Sequence, residues 1–363
     1  MLSRPLGRGD PARSPSQSRT LFTAAMPPVL VPPAIFLGLL LALWTWKCFW
    51  IVVMQEKLLY LTWLPPFARS EKINDYEAEC RPVRWEEKKL QSLDGTRLAV
   101  CEGRLPISGH QTGQKTKSVV ICYFQGNGGS TPMRVPLLSQ ILRAIHASGA
   151  SSSSENVRYT MVALSYRGYW TSSGRPTQSG IELDVQAFLS WVVETYSAPH
   201  TDLRIVLWGH SLGSAIATTG LATYLARAGE GRGFESPVPI AGLVLEAPSS
   251  SVKDMLINLY PQKWLPYRYL WPFLRSHWDS VTAMERMAAA TSPAVPPILI
   301  LSAEKDEVIP PHAANDLEMT GRSLGLDIAR KHVLGAMHTE APVKAEGKRT
   351  IVDFMLKCTS TQP

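Results

Sequence analysis

Residues 203–228 read LRIVLWGHSLGSAIATTGLATYLARA. An apolar run of strand length, residues 203–208, meets Gly209-His210-Ser211-Leu212-Gly213, and apolar residues at helical spacing follow over 212–228. The pentapeptide is GxSxG placed where a buried strand turns into a helix. A nucleophilic serine has to stand on a sharp, strained turn, and glycines on both sides let the backbone pack closely there. The start of the helix then offers unpaired backbone N–H groups to a developing oxyanion. The five residues alone are a weak motif, equally compatible with a glycine-rich turn carrying an incidental serine. Their position between strand and helix makes them a candidate catalytic elbow.

Working outward, short apolar runs recur at 118–124 (SVVICYF), 159–166 (YTMVALSY), 240–247 (IAGLVLEA), 298–303 (ILILSA) and 329–334 (ARKHVL). Helical patterns lie between them at 132–146 and 178–196. Continuous apolar strands separated by helices predict an α/β domain with a mostly parallel sheet covered on both faces. Upstream, the runs 83–90 and 96–101 around Asp94-Gly95 predict one antiparallel hairpin leading into that sheet. The Gly/Ser/Pro-rich stretches 148–156 and 228–239 read as solvated loops.

A serine nucleophile needs a base, and the base needs a carboxylate to orient it. In this kind of sheet the chain order is serine, acid, histidine. Asp306 follows the run 298–303, and His338 lies in GAMHTE just after 329–334, each in a loop at the carboxyl end of a strand. Ser211, Asp306 and His338 are therefore the expected triad. Glu246, at the end of its own strand, is the rival acid, and Glu304 and Glu307 flank Asp306. His312 and His332 are poorer bases because one opens a helix and the other sits within a strand. His210 is expected to line the site.

The loop after 118–124 is Gln125-Gly126-Asn127-Gly128-Gly129-Ser130. Its glycines let the backbone turn inward, so the N–H groups of Asn127 and Leu212 are the expected oxyanion hole. A phosphate-binding loop is the other reading, but the stretch lacks both the GKS/GKT ending and the GxGxxG spacing.

Together YFQGNGGS, LSYRGYWTSSGRPTQSG, WGHSLGS, LSAEKDEVIP and GAMHTE resemble the α/β-hydrolase superfamily, and within it the membrane-anchored abhydrolase-domain branch that includes lysophospholipid lipases and protein depalmitoylases. They occur in family order from about residue 83 to the carboxyl terminus. The resemblance implies an α/β-hydrolase fold and a serine hydrolase acting on an ester or thioester without metal or organic cofactor. That branch usually carries His where Gln125 stands, so substrate fit is where this chain departs from it. The resemblance also assigns Arg167 and Gly168 to a structural turn. A peptidase of the same fold, or a membrane-tethered scaffold with a decayed site, are the competing functions. The complete triad argues against decay.

Residues 29–54 read VLVPPAIFLGLLLALWTWKCFWIVVM, and from 34 to 53 the only charge is Lys47. This is about the 20 residues a helix needs to cross a bilayer. Trp44, Trp46 and Trp50 cluster at one end as in an interfacial belt, where Lys47 can extend outward. A cleaved signal peptide would have a shorter apolar run and a small-residue cleavage site. Four arginines precede the span, placing the amino terminus in the cytosol and the large domain in the lumen by the positive-inside rule. Initiation at Met26 would remove all four. An endomembrane location, the endoplasmic reticulum first, is expected. A mitochondrial membrane is the alternative, since residues 1–20 are rich in Arg and Ser.

The organisation expected is a flexible segment (1–28), a transmembrane anchor (29–54), a connector (55–80) and the hydrolase domain (81–363), with a cap inserted at about 248–296. The cap carries many aromatics, and Trp264, Tyr267 and Trp271, with Gln125 and His210, are expected to meet the substrate. Packing of the cap onto the body is the alternative role for its aromatics. An anchor and an aromatic cap favour a lipid or acylated substrate.

The 363 residues are 45% hydrophobic and 18% charged, which excludes disordered, collagen-like and coiled-coil classes. The net charge of +7 is spread along the chain with no basic stripe interleaved with aromatics, so nucleic acid is not an expected partner. Five cysteines without regular spacing offer neither a disulfide scaffold nor a zinc pattern.

Overall fold

The central apolar runs become strands because two opposite rows of side chains in each find a core, while the run at the sheet edge, 328–333, is buried only at its two ends. The computed structural model describes residues 27–106, 116–152, 157–230, 238–290 and 293–360. The arginine-rich segment 1–26 and parts of the two loops expected at 148–156 and 228–239 lie outside the described residues. The chain divides into two units, Met1–Lys47 and Cys48–Pro363.

The first helix, α1, runs Val31–Tyr60, with Pro32 and Pro33 in its first turn, where no intrahelical donor is lost. Pro28–Tyr60 is long and apolar enough to cross a membrane, and its most apolar part is not buried against protein. The helix runs six residues past the expected end of the anchor at 54. Those residues include Glu56 and Lys57, and Tyr60 at the end is fully buried. The connector is thus partly helix. It continues through 3₁₀ turns at Ala68–Ser70 and Ile73–Tyr76 into a short α2, Glu77–Cys80.

The sheet strands are β1 (Arg84–Gln91), β2 (Arg97–Arg104), β3 (Thr116–Phe124), β4 (Val157–Ser165), β5 (Thr201–His210), β6 (Ile240–Glu246), β7 (Ile298–Ala303) and β8 (Ile328–Val333), in spatial order β1-β2-β4-β3-β5-β6-β7-β8. Only β2 runs against its neighbours β1 and β4, and all other adjacent pairs are parallel. This is the α/β-hydrolase fold.

Strand alternation explains the unbroken apolar runs. In β3, Val120, Cys122 and Phe124 enter one core, shared with Val185 and Phe188 of α4 (Gln178–Tyr196) and Ile216 and Leu221 of α5 (Leu212–Gly229). Val119, Ile121 and Tyr123 enter the other, with Leu138 and Ile141 of α3 (Val135–Ser152) and Ile351 and Met355 of α9 (Ala345–Ser360). α3 continues through 148–152, read from sequence as the start of a loop. A tertiary contact accompanies this extension, since Gly149 stands against Leu356 of α9.

The cap contains α6 (Val252–Leu259), 3₁₀ turns at Pro266–Tyr269 and Trp271–Phe273, and α7 (Ser280–Ala288). α8 (Ala313–Ser323) leads into β8. Arg167 lies in a turn after β4 and is held by the fully buried Asp184, with Nε and Nη2 bonds to its carboxylate and Nη1 on Asp94. Gly168 has φ +82, and a Cβ there would meet Pro176 Cδ at 2.7 Å. The expected structural turn is observed.

Candidate active site

Ser211 has φ 52 and ψ −120 between the end of β5 and the first residue of α5. Such a backbone is strained for a side-chain-bearing residue and persists only where its surroundings over-determine it. The surroundings here are specific. A Cβ on Gly209 would lie 2.3 Å from Gly213 O, and one on Gly213 would lie 2.0 Å from Phe124 O and 2.5 Å from Gln125 O. The Ser211 N–H donates to Glu246 O at 2.8 Å, and Ser214 Oγ lies 2.7 Å from Gly209 O and 3.0 Å from Glu246 O. Both motif glycines are therefore needed sterically, because strand, helix and the neighbouring loop meet at the serine.

The glycine-rich loop lies over that turn. A Cβ at Gly126 would stand 3.4 Å from Ser211 Cβ and 3.1 Å from His210 Cδ2. Tyr166 Oη donates to Gln125 O at 2.9 Å and Tyr169 Oη to Asn127 O at 3.1 Å. From the connector, Leu64 O accepts the Gly129 N–H at 2.8 Å and Glu71 accepts from Ser130 Oγ. Leu212 is the first residue of α5, where a backbone N–H has no intrahelical acceptor. The Gln125 side chain is buried, with Oε1 accepting from Thr131 Oγ1 at 2.8 Å and Nε2 without a hydrogen-bond partner among the described residues.

His338 Nδ1 is 3.0 Å from both Asp306 oxygens, and the two side chains are about one-tenth exposed. Asp306 Oδ1 also accepts the N–H groups of Val308 (2.9 Å) and Ile309 (2.7 Å). Burial favours the neutral carboxyl, but the His338 bond and these backbone donors outweigh it and hold the Asp306 pKa below the ordinary aspartate value. The His338 ring is 5.1 Å, centroid to centroid, from the ring of His210, the residue preceding the serine. The elbow and the acid–histidine pair thus converge, although 95 residues separate Ser211 from Asp306 in the chain.

The alternative residues are engaged elsewhere. Glu246 is buried, with Oε2 accepting from Trp208 Nε1 at 3.0 Å and Oε1 lying 2.9 Å from His210 Nδ1, off the axis of a linear hydrogen bond. Burial lowers the His210 pKa more than Glu246 raises it, so this imidazole is held neutral. Glu304 Oε2 accepts from the Gly335 N–H and Glu307 Oε2 from the His338 N–H, at 2.7 and 3.1 Å. These two carboxylates hold the histidine loop, a role that spacing in the chain does not reveal. His312 Nε2 is 3.5 Å from Asp254, and His332 Nδ1 is 3.0 Å from Ser302 Oγ.

A cavity of about 900 Å³ abuts the site at Asp306 and Glu307 and is walled by α1, α6 and the 3₁₀ turn at Trp271–Phe273. None of the three cap aromatics expected at the substrate lines it. Trp264 is 68% exposed, Tyr267 is buried, and Trp271 lies under Lys253 Nζ, 4.1 Å from its ring centroid. Aliphatic Leu, Ile, Val and Met residues supply the walls instead, with Tyr260 and Phe273 as the aromatics.

A family model described as the alpha/beta hydrolase fold matches residues 119–273. The alpha/beta hydrolase domain-containing protein WAV2 of Arabidopsis thaliana is 28% identical over 72% of this chain and 73% of its own length. The lysophosphatidylserine lipase ABHD12 of Xenopus tropicalis is 32% identical over 56% of this chain and 46% of its own. The chain spans about half the length of other curated relatives. Among solved structures, an alpha-beta hydrolase from Vibrio vulnificus superposes with a TM-score of 0.55 at 17% identity, over 83% of this chain and 92% of that one, which speaks to the fold.

Proposed function

We propose, from the premise that this chain is an abhydrolase-domain protein of the α/β-hydrolase fold, that it is a membrane-anchored serine hydrolase cleaving an ester or thioester of a lipid or acylated substrate. The observation that carries this reading is the strained Ser211 beside a buried Asp306–His338 pair. In the first step His338 takes the proton of Ser211 as its Oγ attacks the carbonyl carbon. Asp306 keeps the imidazole in the tautomer with Nδ1 protonated and stabilises the imidazolium. The N–H groups of Asn127 and Leu212 hold the oxyanion, each contributing about 2.7–4 kcal/mol to the transition state. The leaving group takes the proton from His338. Water then attacks the acyl-enzyme with His338 again as base, releasing the acid and restoring Ser211.

The lipid character of the substrate rests on the apolar cavity at Asp306 and the name of one relative, a lysophosphatidylserine lipase. Single-pass insertion through α1 belongs to the same proposal and rests on the length and apolarity of Pro28–Tyr60. The test is fluorophosphonate labelling of the detergent-solubilised full chain. Wild type should be labelled, and Ser211→Ala should not. Absence of labelling on folded wild type would instead favour a membrane-tethered scaffold.

A further inference from the structure

The cavity at Asp306 has a wall that belongs to the proposed anchor. Ile51, Val52, Gln55, Leu58 and Leu59 of α1 all line it. Their spacing, i, i+1, i+4, i+7 and i+8, puts them on one helical face. From Ile51 to Leu59 the helix rises about 12 Å at 1.5 Å per residue. Up to Val53, Lys47 is the helix's only charge. Glu56 and Lys57 then appear off the cavity-facing row, which is apolar except for Gln55. Opposite stand Val252, Met255, Leu256 and Leu259 of α6.

The cap is fastened to this stretch of α1 at two points. Gln55 Nε2 donates to Phe273 O at 3.0 Å, and its Oε1 accepts the Arg275 N–H at 2.7 Å. The fully buried Tyr60 lies 2.8 Å, through its hydroxyl, from Ser276 Oγ and accepts from Trp278 Nε1 at 2.9 Å. A simple tether would need neither fastening. At the far side Met255 packs on Ala247 and Ile309, the residues that follow Glu246 and the Asp306 turn, so the apolar lining reaches the backbone around the triad.

We infer that residues 51–59 of α1 form an acyl-chain wall adjoining the catalytic site, so that the anchor helix itself is a determinant of acyl-chain-length specificity. The inference rests on the serine-hydrolase reading above. At about 900 Å³ the cavity is at the upper end of the roughly 300–1,000 Å³ usual for ligand sites. Its walls are mostly hydrocarbon side chains, and it meets the proposed triad at Asp306, with Ser211 and His338 lying beyond its lining. Such a lining accommodates an apolar chain whose carbonyl reaches past Asp306 to Ser211.

The test uses the full chain in detergent micelles and a series of esters of one alcohol, from acetyl to palmitoyl. Leu58→Trp and Val52→Trp would fill the wall, and Leu58 is 54% exposed, so its replacement strains no core. Val53→Trp, on the same helix but not lining the cavity, is the control. The readout is the ratio of kcat/KM for palmitoyl over acetyl ester, which a general loss of folded enzyme does not move. Both wall variants should lower that ratio by about tenfold or more, the discrimination a methylene or two makes in an apolar pocket. The control should leave it alone. An unchanged ratio in both wall variants, with fluorophosphonate labelling of Ser211 intact, overturns the acyl wall and leaves the hydrolase standing. Absence of both labelling and acetyl-ester hydrolysis in wild type overturns both.

Discussion

Replacing Asp306 by asparagine isolates what the carboxylate does from what its shape does. In the structure Asp306 Oδ1 accepts two backbone N–H groups, from Val308 and Ile309, while His338 Nδ1 is 3.0 Å from both oxygens. An asparagine keeps its carbonyl oxygen at the Oδ1 position, because two donors there need an acceptor. Its NH₂ group then faces His338 Nδ1, which has to accept instead of donate. The neutral imidazole therefore carries its proton on Nε2, the atom that must take the proton of Ser211. The loss expected for such a tautomer change is about 10⁴-fold in kcat. At 1.36 kcal/mol per decade that is about 5.4 kcal/mol of barrier.

The assay is steady-state hydrolysis of a short acyl ester by the solubilised full chain, with thermal unfolding to show that the near-isosteric variant is folded. Glu246→Gln is the paired control. Its oxygen can still accept from Trp208 Nε1, so its kcat should stay within about tenfold of wild type. A folded Asp306→Asn enzyme within tenfold of wild type would refute the assignment of the acid. So would a Glu246→Gln enzyme that lost as much.

Because the Asp306 pKa is depressed in the native state, its stabilising contribution is fully present above the unfolded value of about 3.9 and is lost as pH falls through the lower native value. The difference in unfolding free energy between wild type and Asp306→Asn should therefore be flat from pH 7 to about 5 and shrink below about 4 in denaturant titrations. Gly213→Ala would bring a Cβ within 2.0 Å of Phe124 O, and backbone cannot swing aside, so a loss of about 3 kcal/mol or more is expected by chemical denaturation, with labelling of Ser211 lost as well. Arg167→Ala leaves the Asp184 carboxylate buried and uncompensated, so unfolding experiments should show about 3–5 kcal/mol of destabilisation, and Arg167→Lys should recover only part of it.

Much of this was legible in the chain. The central parallel strands are buried on both faces and so read as unbroken apolar runs, whereas the edge strand β8 is buried only at Ile328 and Val333, and the alternation of strands with helical patterns pointed to the sheet. The elbow was legible because Gly209 and Gly213 are sterically required where strand, helix and loop cross. The hairpin at Asp94-Gly95 and the post-strand positions of Asp306 and His338 followed from the same periodicity. What failed was local pattern used to infer long-range contact. Residues 148–152 are helix, and Gly149 stands against Leu356 more than 200 positions away. Of the cap aromatics, Tyr260 and Phe273 line the cavity at Asp306, whereas Trp264, Tyr267 and Trp271 do not, and spacing within the cap does not record which of them face it.

By itself, then, the sequence determined the sheet, the serine elbow, the order of acid and histidine, and a helix apolar enough to cross a membrane. Each of these is encoded in the spacing of residues close together in the chain. Tertiary structure decided which carboxylate meets His338, since Asp306, Glu304 and Glu307 share one turn and differ only in direction. It also decided that Tyr166, Tyr169, Leu64 and Glu71 hold the glycine-rich loop, and that the end of α1 walls the cavity and fastens the cap through Gln55 and Tyr60. Those contacts join residues up to about two hundred positions apart, and no local period or propensity records which distant surface a side chain will face.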